Sequence, residues 1–141
     1  MDYKEYQESL EKKHSAEITR LSKLSARESA INSRLYEKYD VKRGLRDLNG
    51  NGVVCGLTEI SEINAFKVDK DGNKTPCKGE LFYRGVNIYD LVEGLGRRGR
   101  FGFEETAYLL LFGTLPTMDE LAGFNEMLCD YRPLPPNFVR D

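Results

Sequence analysis

The sequence predicts a mainly α-helical protein with a small antiparallel β-hairpin, and three observations carry that prediction. The first is a stretch from Tyr3 to about Lys38 composed of strong helix formers, with no glycine or proline. The second is a run rich in β-branched and aromatic residues, Leu57 to Val68, that turns at Asp71-Gly72-Asn73 and returns through Glu80-Leu81-Phe82-Tyr83-Arg84. The third is the end of the chain, where capping residues precede apolar stretches of helical spacing.

In the first stretch apolar residues recur at Tyr6, Leu10, Ile18, Leu21, Leu24, Ile31 and Leu35, a thin stripe whose heptad positions also take in His14, Glu17 and Glu28. That pattern argues against a self-sufficient coiled coil and for a helix laid along a larger surface. Ser25 with Glu28 has capping-box spacing and Asn32 offers a further cap, so the segment is expected to break into two or three helices. Residues 1–38 are therefore read as a charged helical arm reaching another subunit, too polar to add much core. Residues 39–56 change to glycine, asparagine and basic side chains, the composition of a linker. Residues 57–141 hold the hairpin and the remaining helices. Pro76 lacks a backbone donor, so the return strand is expected to pair cleanly only after it.

Val86 and Asn87 have the character of a staple residue and an N-cap for a helix from Ile88 to about Glu93. Phe103 to Phe112 is almost wholly apolar after Glu104 and Glu105, whose charges favour a helix N-terminus, and Gly113 suits a left-handed terminator. This helix is expected to be buried on most sides. Thr117 with Glu120 forms another capping box, and Leu121, Phe124, Leu128 and Tyr131 make an amphipathic stripe that ends at Arg132-Pro133. Pro136 suits the first turn of one more helix. The Tyr108 to Phe112 run asks for more apolar cover than the Leu121 to Tyr131 stripe supplies. The expectation is cover from sequence beyond Asp141, and self-association of this chain without it.

Among the 141 residues, 21 basic and 23 acidic side chains leave a formal charge of −2, which provides no basic field for nucleic acid. No apolar run approaches the roughly 18 residues of a membrane span, and the N-terminus has no signal-peptide core, so a cytoplasmic protein is expected. Three widely spaced cysteines, Cys55, Cys77 and Cys129, make neither a full disulfide framework nor a CxxC pair. Cys77 beside Lys78 has a faintly activating neighbour, though a structural thiol is the simpler reading.

Four motifs invite chemistry. Gly94-Leu-Gly96-Arg-Arg-Gly99 matches the dinucleotide fingerprint but follows a predicted helix instead of a strand, which makes a basic loop the better reading. Asp47-Leu-Asn49-Gly-Asn51-Gly52 opens like a calcium loop and then places Thr58 at the twelfth position, where a bidentate carboxylate is needed. Asp69, Asp71, Asn73 and Glu80 have the end carboxylate but put Lys74 at the glycine position, so both strings read as polar turns. Lys42, Arg43 and Arg46 lie in the linker, where three cations could hold a phosphorylated ligand or simply face water. The only histidine, His14, lies in a charged helix expected to be exposed, so no zinc site or histidine-based triad can be assembled and no metal is expected.

Gly56-Leu-Thr58 followed by Ile60-Ser61, then Gly79-Glu-Leu-Phe-Tyr83-Arg84-Gly85, Ile88-Tyr-Asp-Leu91, Phe103 to Leu111-Phe-Gly113-Thr-Leu-Pro116, and Arg132-Pro-Leu-Pro135 stand in an order and spacing that resemble the N-terminal part of citrate synthases. The match runs from about Tyr39 to Asp141, and the charged extension and inserted hairpin resemble a clostridial-like bacterial type. The resemblance implies a mostly helical homodimer that condenses acetyl-CoA, a substrate and not a bound cofactor, with oxaloacetate to give citrate and CoA. It implies an aspartate base and two histidines, all in the portion beyond Asp141, so no catalytic residue is assigned here. Tyr83, Arg84 and Gly85 match the family's strand-to-helix corner. Ala107 to Gly113 with Pro116 match a buried helix and its following turn. Arg46 lies near where some members place an arginine close to the CoA phosphates.

The expectation is thus an N-terminal fragment of a citrate synthase, inactive alone. The alternatives are a 2-methylcitrate synthase fragment, a non-catalytic helical interaction module, and a nucleotide-binding protein using Gly94 to Gly99.

Overall fold

The structure is a computed structural model that describes residues 2–97, 99–135 and 138. In chain order it contains α1 (Tyr3–Glu28), α2 (Arg34–Lys38), β1 (Ser61–Val68), β2 (Lys74–Tyr83), β3 (Val86–Asn87), α3 (Ile88–Arg97), α4 (Phe103–Phe112) and α5 (Met118–Asp130). The architecture is mainly helical with a three-stranded antiparallel sheet, and the chain divides into two compact units. No helix among the described residues is long and apolar enough to cross a membrane.

The first unit comprises residues 1–28 and 101–141 and contains α1, α4 and α5. Its centre is an aromatic cluster in which Tyr108 meets Phe112 at 4.6 Å and Phe124 at 5.5 Å, both edge to face. Phe112 and Phe124 complete the triangle at 5.9 Å. The rings thus adopt the edge-to-face arrangement that suits their quadrupoles. Leu21 of α1 closes the cluster, with Leu24, Met127 and Leu128 packed around it. Two expectations change here. The first segment supplies core residues (Leu10 and Leu21 are both buried), and the apolar run of α4 is covered by α1 as well as by α5. The α4 helix also buries only one stripe, Glu105, Tyr108, Leu109 and Phe112, while Phe103 and Leu111 stay exposed. Helical spacing selects that stripe even where the sequence is apolar all round.

The ends of these helices follow the expected chemistry. Thr117 Oγ1 accepts from the Glu120 amide at 3.3 Å, and the Glu120 carboxylate accepts from the Thr117 amide at 2.9 Å, so the capping box is complete. Gly113 terminates α4 at φ 80° and donates to the Leu109 carbonyl. A Cβ there would lie 2.8 Å from Glu28 Oε2, which would have to shift, so it is the left-handed conformation that favours glycine at this position. Ser25 does not start a new helix, since α1 runs through it and ends at Glu28. The helix expected at Pro136 falls outside the described residues.

The second unit, residues 29–100, holds the sheet with α2 and α3. Ser33 occupies the N-cap of α2 without a side-chain bond, and Asn32, expected as the cap, lies one residue earlier and accepts from the Arg34 amide at 3.0 Å. In the hairpin, β1 pairs with β2 from Ser61↔Tyr83 to Val68↔Lys74. Pairing therefore continues before Pro76, against the expectation, because the register shifts between Asn64 and Phe66 and Phe66 pairs with Pro76 itself. One residue, Ala65, faces Cys77, Lys78 and Gly79 across this bulge, so the irregularity falls just after the proline and not before it. A third strand, too short to show in the sequence pattern, completes the sheet. Arg84 at φ 48° and Gly85 at φ 80° form a two-residue turn with both central residues left-handed, which folds Val86 back onto Tyr83 and Asn87 onto Phe82. Asn87 also accepts from the Tyr89 amide at 2.9 Å, so it ends β3 and caps α3 at once.

Truncating Phe124 to alanine removes one side of the aromatic triangle. The expected cost is about 3–5 kcal/mol in the three-helix unit, read as a lower urea midpoint by circular dichroism, whereas a change below about 1 kcal/mol would place the core elsewhere.

Candidate functional site

Between α1 and α5 of the first unit lies an open cleft of about 620 Å³ lined almost wholly by charged side chains. On α1, Lys13, His14, Glu17 and Arg20 recur at helical spacing and so share one face; Asp119, Glu120 and Glu126 of α5 oppose them. Lys13 Nζ donates to Glu126 Oε1 and Asp130 Oδ2, both at 2.7 Å. His14 Nε2 lies 2.8 Å from the same Asp130 oxygen, with its ring 6.0 Å from that of Tyr131. Arg20 donates to both Glu17 oxygens, at 3.0 and 2.8 Å, reaches Glu120 at 3.5 Å and donates to the Tyr108 hydroxyl at 3.3 Å. Tyr6 of α1 also donates to the Asp130 carbonyl at 2.9 Å.

His14 is buried, at 8% exposure, which corrects its expected exposure in a solvated arm. The signal lay in its spacing from Leu10 and Leu21, which puts all three on one face of α1. A histidine held by an aspartate is also a motif of acid–base catalysis, but here the aspartate is shared with Lys13 and the neighbouring charges answer one another. The arrangement is a polar clamp beside an aromatic core. No group of three or more histidine, cysteine, aspartate or glutamate side chains among the described residues is placed to hold a metal ion.

The electrostatics agree with that reading. The Asp130 carboxyl is held below its ordinary range, first by Lys13 and then by His14. Glu17 is lowered by its hydrogen bonds from Arg20. Glu120 is lowered chiefly by the Thr117 amide and hydroxyl of the helix cap, with Arg20 a smaller contributor. Lys13 is raised by Asp130 and then Glu126.

In the second unit, Arg46 is exposed, bridges backbone to Gly52, and donates through Nη1 to the Gly50 carbonyl at 2.7 Å. Lys42 pairs with Asp40, and Arg43 is exposed. Two of the three linker cations, Lys42 and Arg46, are thus held by sequence neighbours. The two calcium-like strings fold into the same turn. Asp47 Oδ1 accepts from the Asn49 and Asn51 amides at 2.9 and 2.8 Å, while Asp69 Oδ1 accepts from the Asp71 and Asn73 amides at 2.9 and 2.8 Å. Both carboxyls are held below their ordinary range, Asp47 chiefly by the backbone amide of Asn51 and then its side-chain amide, Asp69 chiefly by the side-chain amide of Asn73 and then its backbone amide. The fingerprint glycines are also reassigned: Gly94 and Gly96 lie inside α3, so the first part of the string is helix where a loop was expected. Cys55 and Cys129 are exposed, Cys77 partly buried, and all three are free thiols.

Residues 45–141 match the family model described as "Citrate synthase, C-terminal domain". The chain belongs to the citrate synthase family. It is 37% identical over 94 residues to 2-methylcitrate synthase 1 of Corynebacterium glutamicum, covering 67% of this chain and 19% of that protein. It is 44% identical over 55 residues to the 2-methylcitrate synthase of Shewanella oneidensis, covering 39% and 13%. Over 45 residues it is 53% identical to the citrate synthase of Saccharolobus solfataricus, covering 31% and 10%. The chain therefore spans about a fifth or less of the length of these curated relatives. No solved structure matches it significantly. In this citrate synthase-family chain the matched residues include the sheet, α3, α4 and α5, whereas the α1 side of the clamp, His14 included, precedes the match.

The lowered carboxyls give the clamp a pH signature with a fixed sign. Stability from Glu17, Glu120 and Asp130 is complete above their ordinary values of 4.5, 4.5 and 3.8 and is lost as pH falls through their lower folded values. Lys13 acts in the opposite range, its contribution complete below 10.5 and lost above it. Thermal melts should therefore be flat from neutral down to about pH 5 and fall below about pH 4, with a shallower acid fall in Asp130→Asn. A melting temperature indifferent to acid would show that these carboxyls are not engaged.

Proposed function

We propose that this chain is the N-terminal part of a cytoplasmic, homodimeric acyltransferase of the citrate synthase family that joins an acyl-CoA to oxaloacetate, and that its acyl donor is propionyl-CoA, as in a 2-methylcitrate synthase. The observation that carries the donor is the 37% identity, over two thirds of this chain, to a relative named for that product. The N-terminal placement rests on the matched residues themselves: 45–141 contain no histidine, whereas the family reaction implied by the sequence resemblance uses two. In that reaction a base takes a proton from the carbon beside the thioester, the resulting enolate attacks the ketone of oxaloacetate, and water cleaves the thioester to free CoA.

This chain's part in such an enzyme is positional. The left-handed Arg84-Gly85 turn sets the angle between sheet and α3, and the α4–α5 core supplies a rigid base. Arg46 is the proposed phosphate contact for CoA, since its exposed guanidinium keeps donors beyond the one bonded to Gly50. A second reading, acetyl-CoA as donor, draws on the shorter but more similar span shared with the Saccharolobus solfataricus citrate synthase.

Two measurements test this. The purified chain is expected to release no CoA thiol from propionyl-CoA or acetyl-CoA with oxaloacetate, and the protein encoded by the whole reading frame to show a higher kcat/KM with propionyl-CoA. A preference for acetyl-CoA would select the second reading, and turnover by the chain alone would overturn the positional role. The chain is also expected to self-associate, because Phe101, Phe103, Leu111 and Met118 are exposed on the three-helix unit. A strict monomer in sedimentation velocity at high concentration would contradict this.

A further inference from the structure

We propose that Asn49 is a site of spontaneous deamidation through a cyclic imide, and that the Asp47 carboxylate protects Asn51 from the same reaction. The sequence contains two asparagines followed by glycine, Asn49-Gly50 and Asn51-Gly52, separated by no other residue. Both are exposed and lie in a loop whose only strand-like pairing is the isolated bridge from Arg46 to Gly52. Glycine presents its amide without a Cβ to obstruct approach, so both pairs have the same intrinsic reactivity. Their surroundings differ.

The Asn51 side chain is engaged. Its Nδ2 donates to Asp47 Oδ2 at 3.2 Å, its backbone amide donates to Asp47 Oδ1 at 2.8 Å, and its carbonyl accepts from the Asp47 amide at 2.9 Å. Ring closure at Asn51 requires the side-chain amide to leave a carboxylate, a charge-assisted bond stronger than a neutral one. The Asn49 side chain makes no hydrogen bond among the described residues; only its backbone amide is held, by Asp47 at 2.9 Å. What restrains Asn49 is the bond from the Gly50 amide to the Asp47 carbonyl at 3.1 Å, a neutral bond in an exposed turn that opens by local fluctuation.

The chemistry needs only water. The Gly50 amide nitrogen, having lost its proton, attacks Cγ of Asn49; the new N–C bond forms as the bond to the side-chain nitrogen breaks, and ammonia leaves with that proton. Water then opens the five-membered imide at either carbonyl, leaving aspartate or isoaspartate at position 49. Either product adds a negative charge to the loop that carries Arg46, and isoaspartate also lengthens its backbone.

The test is to age the full chain at mildly alkaline pH and follow each asparagine by tandem mass spectrometry, with isoaspartate detected by enzymatic methyl transfer. Conversion at Asn49 is expected to run several-fold faster than at Asn51 in the folded chain. In urea the two rates should converge, and in Asp47→Ala the rate at Asn51 should rise relative to that at Asn49. Equal rates in the folded chain, faster conversion at Asn51, or an unchanged ratio in Asp47→Ala would overturn the proposal.

Discussion

The contact on which the three-helix unit depends is the edge-to-face triangle of Tyr108, Phe112 and Phe124. Two of its rings come from α4 and one from α5, so it cannot form until the chain has reversed at Gly113 and restarted at Thr117. The cap residues therefore matter beyond the helices they end. A left-handed Gly113 sets where α4 stops, the Thr117–Glu120 box sets where α5 begins, and together they fix the register in which Phe124 reaches Tyr108. Leu21 then covers the triangle from α1, which turns a helical hairpin into a closed core.

Polar groups at the rim extend this core without competing with it. Tyr108 is nearly inaccessible, yet its hydroxyl meets Arg20 at 3.3 Å and Glu120 at 3.4 Å, so the ring lies among apolar side chains while its oxygen joins the clamp. His14 behaves alike, its ring buried and its nitrogen on Asp130. This layering lets a helix as charged as α1 pack against an apolar partner: Leu10 and Leu21 supply contact area, and Lys13 and Arg20 cross the seam to α5.

The legible features of the sequence were those whose cause is local. The capping box at Thr117, the terminator at Gly113, the cap at Asn87 and the two aspartate turns each depend on a few neighbouring residues, and each stands where its pattern placed it. The misread features depend on partners far along the chain. The charged neighbours of His14 suggest exposure, while its burial comes from Asp130 and Tyr131, more than a hundred residues away. The strand Val86–Asn87 is too short to show alternation and exists because a left-handed Arg84 folds it back. For α4, uniform apolarity conceals which stripe is buried; the α1 and α5 contacts decide that.

The same distinction explains why family membership is readable in this chain while a reaction centre is not. A motif can perform chemistry only when its donors and acceptors remain free for a ligand. Here the groups that look most reactive are already engaged by the scaffold: Asp47 and Asp69 by backbone amides, Glu120 by its own cap, Asp130 by Lys13 and His14. Each engagement fixes a turn, a helix end or a helix pair, and geometry of that kind gives a family its recognisable order of residues. Asn49 lies at the other extreme: its side chain has no hydrogen-bond partner among the described residues, while those of its neighbours Asp47 and Asn51 are bonded to each other, so its reactivity follows from their engagement.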